Sequence, residues 1–320
     1  MDRILILFGA GASYGNGGPD LKPPLGGGSL LEELVRAENP TWMSLTKEER
    51  AWFKEDFEIG METLQKACQN GETRVNFTDL HKEMATYFSR FHVADELGVY
   101  AQLFRRFQRD IFEGSVLLAT TNYECLLEYS SRATYGRDAW KYRREDPGSF
   151  TIMKIHGSCN FGIGKGFLKV TGKMNNCGGE TKGFQFRPYD LDTMQDNIAE
   201  SGWQPALSVY AKGKPVIVGT DTVDGIQSDY AAAAADCTWI ITIGIKPLKD
   251  DKHIWNPIMG SKTNVVSIDP SPDYMFFNSS IGSDRCCVWP MTFEAAAPRL
   301  FDLIQTILHR ARPSFTNAEP

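Results

Sequence analysis

Three short stretches carry residue types that can hold a phosphorylated ligand or move a proton. Gly9-Ala10-Gly11-Ala12-Ser13 follows an apolar run directly. Paired glycines there let the backbone turn sharply and bring N–H groups to a phosphate at a helix start. The pattern departs from GxGxxG, because Tyr14 stands where the last glycine belongs and no acidic residue closes a second strand about 20 residues on. A hydride-transferring dehydrogenase is therefore disfavoured, and a GxG taken alone is equally a tight turn. Asn122 follows a second apolar run and His156, before Gly157, follows a third. An imidazole with its ordinary pKa of about 6.5 accepts a proton near neutrality. Asp20 adds a carboxylate after Pro19. Each has a plainer reading that stays open here: Asn122 as the cap of a helix beginning near Glu124, His156 as a turn residue, Asp20 as turn chemistry.

The elements that must position these groups are legible as punctuated apolar runs. Residues 3–8 are too short for a buried helix and stop at glycine, which predicts a fully buried parallel strand. Similar runs at 115–119, 151–155, 215–218, 239–243 and 264–268 predict further strands. Helix-period apolar residues at 30–37, 45–69 and 77–110 lie between the first two. The expected fold is an α/β, Rossmann-like parallel sheet with helices on both faces and a helical insertion at about 42–110. A final amphipathic helix is expected over Pro290–Arg312, with a loose tail at 313–320. Residues 157–213, rich in glycine, lysine and polar residues, predict a small inserted lobe with short strands such as 166–170 and 183–186. Phe88, Phe91, Tyr100, Phe104 and Phe107 are expected in the core or at a subunit contact rather than around a cofactor. Arg105, Arg106 and Arg109 are expected on a solvated face.

Composition narrows the class. The 320 residues are 42% hydrophobic and 23% charged, the balance of an ordinary folded protein. A net charge of -6 argues against a dominant basic surface for nucleic acid or anionic lipid and leaves room for a local basic groove. With no apolar stretch of about 18 residues and no signal-peptide core, a soluble cytoplasmic protein is expected. The seven cysteines contain no CxxC pair, so neither disulfides nor a four-thiolate zinc site is expected. His81, His92, His253 and His309 show no metal-like spacing with cysteine or carboxylate.

After three intervening residues the glycine turn continues into Gly17-Gly18-Pro19-Asp20-Leu21-Lys22. This resembles the cofactor loop of the sirtuin (SIR2) family: GAGxS, three residues, then GIPDFR. Thr120-Thr121-Asn122-Tyr123-Glu124 is similar to that family's TQNID, and His156-Gly157 to its catalytic HG. Pro215-Val216-Ile217-Val218-Gly219 resembles PxVVxFGE, Gly244 stands where the GTS loop begins, and Ile268-Asp269-Pro270 lies near the INxxP ribose contact. The two zinc-binding CxxC pairs of sirtuin deacylases are missing, with only Cys159 and Cys177 in their region. The FGE segment is reduced to Gly219-Thr220. This zinc-less, helix-inserted pattern is similar to SIR2-like NAD+ hydrolases of bacterial anti-phage defence.

The resemblance implies NAD+ as substrate, no zinc, and cleavage to nicotinamide and ADP-ribose. It implies that Asn122, His156 and Asp20 are catalytic, and that Gly9, Ala10, Gly11, Ser13, Pro19, Thr121, Glu124, Gly244 and Asp269 bind NAD+. Asn122 would fix a ribose hydroxyl or the attacking water, and Glu124 would help orient water. Asp250, Asp251 and His253 would border the ligand or form a plain turn. A toxic hydrolase without a sensor domain implies a homo-oligomer or a complex with an activating sensor protein, and no direct nucleic-acid or membrane partner. A protein deacylase or ADP-ribosyltransferase, and a non-catalytic NAD+ or ADP-ribose sensor, are the alternatives.

Overall fold

The computed structural model describes residues 2–16, 28–54, 57–91, 97–143, 148–163, 187–199, 204–207, 220–248 and 251–310. Among the described residues the central sheet has seven strands, all parallel, in the order β10-β9-β8-β1-β2-β4-β3. They are β1 (Ile4–Phe8), β2 (Val116–Thr120), β3 (Trp140–Lys141), β4 (Phe150–Lys154), β8 (Trp239–Ile243), β9 (Asn264–Ile268) and β10 (Cys286–Trp289). A second, antiparallel sheet places β5 (Gly157–Ile163) between β6 (Arg187–Pro188) and β7 (Gln204–Leu207).

β1 and β2 are buried at every position. Helices cover both faces of a parallel sheet, so its central strands need apolar residues at successive rather than alternate positions. Helices Val99–Arg106, Leu126–Tyr135 and Phe293–Arg310 pack as one group, and helices Thr220–Asp236 and Lys252–Gly260 as another. The chain builds outward from β1 to β2 and β4 on one side, then to β8, β9 and β10 on the other. The order therefore reverses between β1 and β8, and the crevice at such a reversal is where open parallel sheets bind ligands.

Between β1 and β2 the chain is helical but more broken than the periodicity predicts. The expected helix at 45–69 is divided into Lys47–Ala51 and Phe57–Asn70, and the expected helix at 77–110 into Phe77–Phe88, Val99–Arg106 and Gln108–Phe112. The first begins in a reciprocal cap, Thr46 accepting from Glu49 N–H while the Glu49 carboxylate takes Thr46 N–H. Asn76 likewise caps Phe77–Phe88 through Thr78 N–H. The aromatic residues expected in the core are all buried. Phe88 meets Tyr123 at 5.4 Å, which ties this helical layer to the loop after β2.

One other expectation changes. Pro290 does not start the last helix: it follows β10 directly, and Thr292 Oγ1 caps Phe293–Arg310 by accepting Ala295 N–H. The small lobe is built on β5, a polar, glycine-containing segment, whereas the strands expected at 166–170, 183–186 and 215–218 lie outside the described residues. β5 is nonetheless buried, with Ser158 donating to Tyr123 O and Asn160 to Tyr142 Oη and Tyr189 O. Among the described residues no helix is long and apolar enough to cross a membrane.

Candidate functional site

Strand register alone brings most of the chemistry-bearing residues into one row. Phe8 pairs with Thr120 and Ile243, Thr120 with Lys154, and Ile243 with Ile268. The next residues out are therefore Gly9, Thr121, Ile155, Gly244 and Asp269. Each extends the ladder one step: Thr121 N–H donates to Phe8 O, Ile155 to Thr120 O, Gly9 to Ile243 O, Gly244 to Ile268 O, and Asp269 to Trp289 O. Asn122 and His156 stand one residue further along their chains. The glycine turn, Asn122, His156 and Gly244 thus share the carboxyl edge of the sheet at its reversal point.

The turn after β1 is a single 3-10 turn, Ala10–Ser13, and not the start of an α-helix. An α-helix dipole is therefore not available to a phosphate at this place. Two of its N–H groups are also engaged by the fold, Gly11 to Gly244 O and Ala12 to Gly9 O, both at 3.0 Å. The glycines serve close approach: a Cβ on Gly9 would stand 2.5 Å from Gly244 O, and one on Gly11 2.8 Å from Gly244 Cα. Gly244 has φ of 61° and would put a Cβ 2.3 Å from Ala12 N. Gly244→Ala should cost about 1–3 kcal/mol from the left-handed backbone alone, with the collision in addition. Gly136→Ala carries a similar φ with open space around it and isolates the first effect. Denaturant midpoints should therefore fall further for Gly244→Ala, and equal losses would remove the close contact from the account.

Ser13 is the hub beneath the turn and is 1% exposed. Its Oγ donates to Glu124 Oε1 at 2.5 Å and accepts from Asn122 Nδ2 at 2.9 Å, with Tyr100 Oη at 3.2 Å. Burial, reinforced by the Glu124 charge, raises the Tyr100 phenol well above its ordinary pKa, so it stays a donor. Asn122 Nδ2 also donates to Gly9 O at 3.0 Å. Both amide protons of Asn122 are thus committed to the turn, leaving Oδ1 as the atom able to accept from a ligand hydroxyl or a water. Asn122 caps no helix. Leu126 N–H, at the start of helix Leu126–Tyr135, is taken instead by Glu124 Oε2 at 2.7 Å. With one carboxylate oxygen on Ser13 and the other on Leu126, Glu124 braces the loop rather than facing a water.

A buried ion pair underlies that loop. Lys154, the last residue of β4, donates to Glu124 O and lies 3.4 Å from Glu128 Oε1, both side chains being wholly buried. Burial pushes the Glu128 carboxyl up; burial opposes the Lys154 ammonium too, but Glu128 carries its pKa above the ordinary value. Tyr142 Oη also donates to Glu128 at 3.2 Å. Cys125 and Cys159 are fully buried beside this cluster with sulfurs 3.7 Å apart and are free thiols.

His156 is 4% exposed, and its Nε2 lies 2.9 Å from Nε2 of half-buried His253. Asp251 stands nearby, and donor atoms of His156, Asp251 and His253 all lie within 4.8 Å of one another. Sequence spacing did not reveal this trio, because His253 is close to Asp251 but nearly a hundred residues from His156. Asp269 is also buried and accepts Ser271 N–H through Oδ1 at 2.8 Å. Pro19 and Asp20 lie outside the described residues, as do Cys177 and Asp250. Arg105, Arg106 and Arg109 line an open cleft of about 570 Å³ with Gln108, Phe112 and Arg137. Arg106 there pairs with Asp302 and Arg109 with Glu113.

No family model matches the chain, and no curated protein matches it. Solved structures similar to it include a Sir2 homologue variant with ADP-ribose, at 13% identity over 98% of this chain and 96% of that one, with a TM-score of 0.48. A structure described as addressing the mechanism and regulation of Sir2 enzymes matches at 12% identity over 97% and 94%, with a TM-score of 0.47. A complex of Sir2 with an inhibitor, 2'-O-acetyl-ADP-ribose and a deacetylated peptide matches at 10% identity over 94% and 93%, with a TM-score of 0.46.

Proposed function

We propose that this protein is an NAD+ glycohydrolase, cleaving NAD+ with water to nicotinamide and ADP-ribose. The observation that carries the reading is the placing of Asn122 and His156 on adjacent strands' exits, beside the Gly9–Gly11 turn and Gly244 at the sheet's reversal point. The order of these motifs along the chain, resembling SIR2-like hydrolases, adds the substrate.

Loss of nicotinamide passes through an oxocarbenium-like state, as in other glycosidic cleavages. Nicotinamide departs neutral with the bonding electron pair, so no acid is needed to release it. Asn122 Oδ1 accepts from a ribose hydroxyl or the incoming water, held in place by the two bonds of its Nδ2. Water oxygen bonds to the ribose carbon, and its proton passes to a His156 ring nitrogen and then to solvent. Ser13 and Glu124 are positioning residues, acting through Asn122 and the loop. Asp269, with Oδ1 on Ser271, offers Oδ2 to the other ribose. Asp20, with Pro19, completes the nicotinamide side by stabilising positive charge.

In this reading the chain is the toxic effector of an anti-phage abortive-infection system. It works as a homo-oligomer or with a sensor protein that raises its turnover. The reduced FGE segment and missing CxxC pairs weigh against a protein deacylase. The test is nicotinamide release by the purified chain, across protein concentrations, with and without acetylated peptide. Release independent of peptide is expected; release only with the peptide would restore the deacylase reading.

A further inference from the structure

We propose that His156, Asp251 and His253 form a site for a divalent transition-metal ion of the zinc type, and that an ion bound there withdraws His156 from NAD+ cleavage. The second half rests on the reading of His156 just given; the site itself does not. Two separate elements supply the donors: the exit of β4 gives His156, and the start of helix Lys252–Gly260 gives Asp251 and His253. Their donor atoms converge within 4.8 Å in a setting where His156 and Asp251 are buried and His253 is half-buried.

Two details point to a shared ligand rather than a chance cluster. The imidazoles face each other through the same atom, Nε2 to Nε2 at 2.9 Å, so one proton must lie between two ring nitrogens that are both good metal donors. Asp251 occupies the N-cap position of its helix, where an aspartate ordinarily accepts the first N–H groups, yet its side chain makes no capping bond. It is 3% exposed, and an oxygen of its carboxylate lies within 4.8 Å of the donor nitrogens of both histidines. Zinc–nitrogen bonds of about 2.0–2.1 Å at a tetrahedral angle place two nitrogens about 3.3 Å apart. Opening the present pair by a few tenths of an ångström therefore suffices. Binding needs no net proton release from a neutral pair: the imidazole holding the shared proton changes tautomer, carrying it on Nδ1, and both Nε2 lone pairs turn to the ion. Two imidazoles and one carboxylate suit zinc, cobalt or nickel better than magnesium or calcium, which prefer all-oxygen shells. A fourth position stays open to water.

The test uses the full chain, stripped with chelator and titrated with Co2+ alone, then with Zn2+ against a chromophoric chelator. One ion per chain is expected, with visible cobalt bands and no thiolate charge-transfer band, since Cys125 and Cys159 are not donors. His253→Gln and Asp251→Asn should each weaken binding at least tenfold; Lys252→Ala and Asn122→Ala should not, and melting in chelator checks that all four fold. Zn2+ at saturating concentration should lower nicotinamide release more than tenfold in the unaltered chain, with chelator restoring it. Absence of binding, binding that survives in both His253→Gln and Asp251→Asn, or a thiolate band lost in Cys125→Ser would overturn the site. Faster release with Zn2+ would overturn the inhibitory role. A chain that binds the ion as described but never releases nicotinamide would leave the site standing and defeat the hydrolase reading instead.

Discussion

Asn122→Ala and His156→Ala are each expected to lower NAD+ turnover at least a hundredfold in a protein that still folds. A general base contributes about 10²–10⁴ in rate, and His156 is the proton acceptor in this mechanism. Alanine at 122 removes the Oδ1 acceptor and leaves Gly9 O and Ser13 Oγ without their Asn122 donor. That lost bonding costs about 1–3 kcal/mol of stability, a modest loss for a chain of this size. Ser13→Ala separates positioning from chemistry, since it removes the acceptor of Asn122 Nδ2 and the donor to Glu124 while leaving Oδ1 in place. Its loss should be smaller and should fall mainly on kcat, because the reacting group remains but is less well oriented. The check is nicotinamide release measured beside melting temperature. A folded Asn122→Ala or His156→Ala with near-normal turnover removes that residue from the mechanism.

Lys154→Met is expected to be the most destabilising single change near the site, at about 3–5 kcal/mol. Removing one partner of a buried pair strands the other charge without solvent. Glu128 has Oε1 on Lys154 and Tyr142, while Oε2 is buried with no hydrogen-bond partner. The same substitution releases the bond from Lys154 Nζ to Glu124 O, so the Asn122 loop should loosen as stability falls. Lys154→Met combined with Glu128→Leu should recover most of the loss, because an apolar pair of similar volume removes both desolvation costs. Chemical denaturation of the single and double variants measures this. A loss below about 1 kcal/mol in Lys154→Met would mean that the pair is not charged in the folded state.

Much of the sheet could be read directly because parallel strands covered on both faces are continuous apolar runs. β1, β2, β4, β8 and β9 fall within a residue or so of their expected positions for that reason. Asn122 and His156 were legible as polar groups close beyond the ends of two such runs, Asn122 after Thr120-Thr121 and His156 directly. β5 was not, because Ser158 and Asn160 are buried polar residues whose partners, Tyr123 O, Tyr142 Oη and Tyr189 O, are invisible until the chain folds. The two-residue β3 and the four-residue β10 were too short to show periodicity. Tyr100 was legible as a core aromatic, but not its hydroxyl on Ser13, which depends on how helix Val99–Arg106 docks against the glycine turn. Lys154, at the end of an apolar strand, gave no sign of the Glu128 partner on the preceding helix, Leu126–Tyr135. The meeting of His156 with His253 arises from the neighbouring paths of β4 and helix Lys252–Gly260, a tertiary fact that local spacing does not encode.

The most direct test of the central claim is the product balance from NAD+ labelled in both the nicotinamide and adenine halves, incubated with the purified chain and no peptide, and resolved by chromatography. Equal amounts of nicotinamide and linear ADP-ribose are predicted, both lost together in Asn122→Ala. Nicotinamide accompanied by peptide-bound or protein-bound ADP-ribose, by acyl-ADP-ribose only when an acetylated peptide is added, or no cleavage at any protein concentration or with an activating partner, would contradict it.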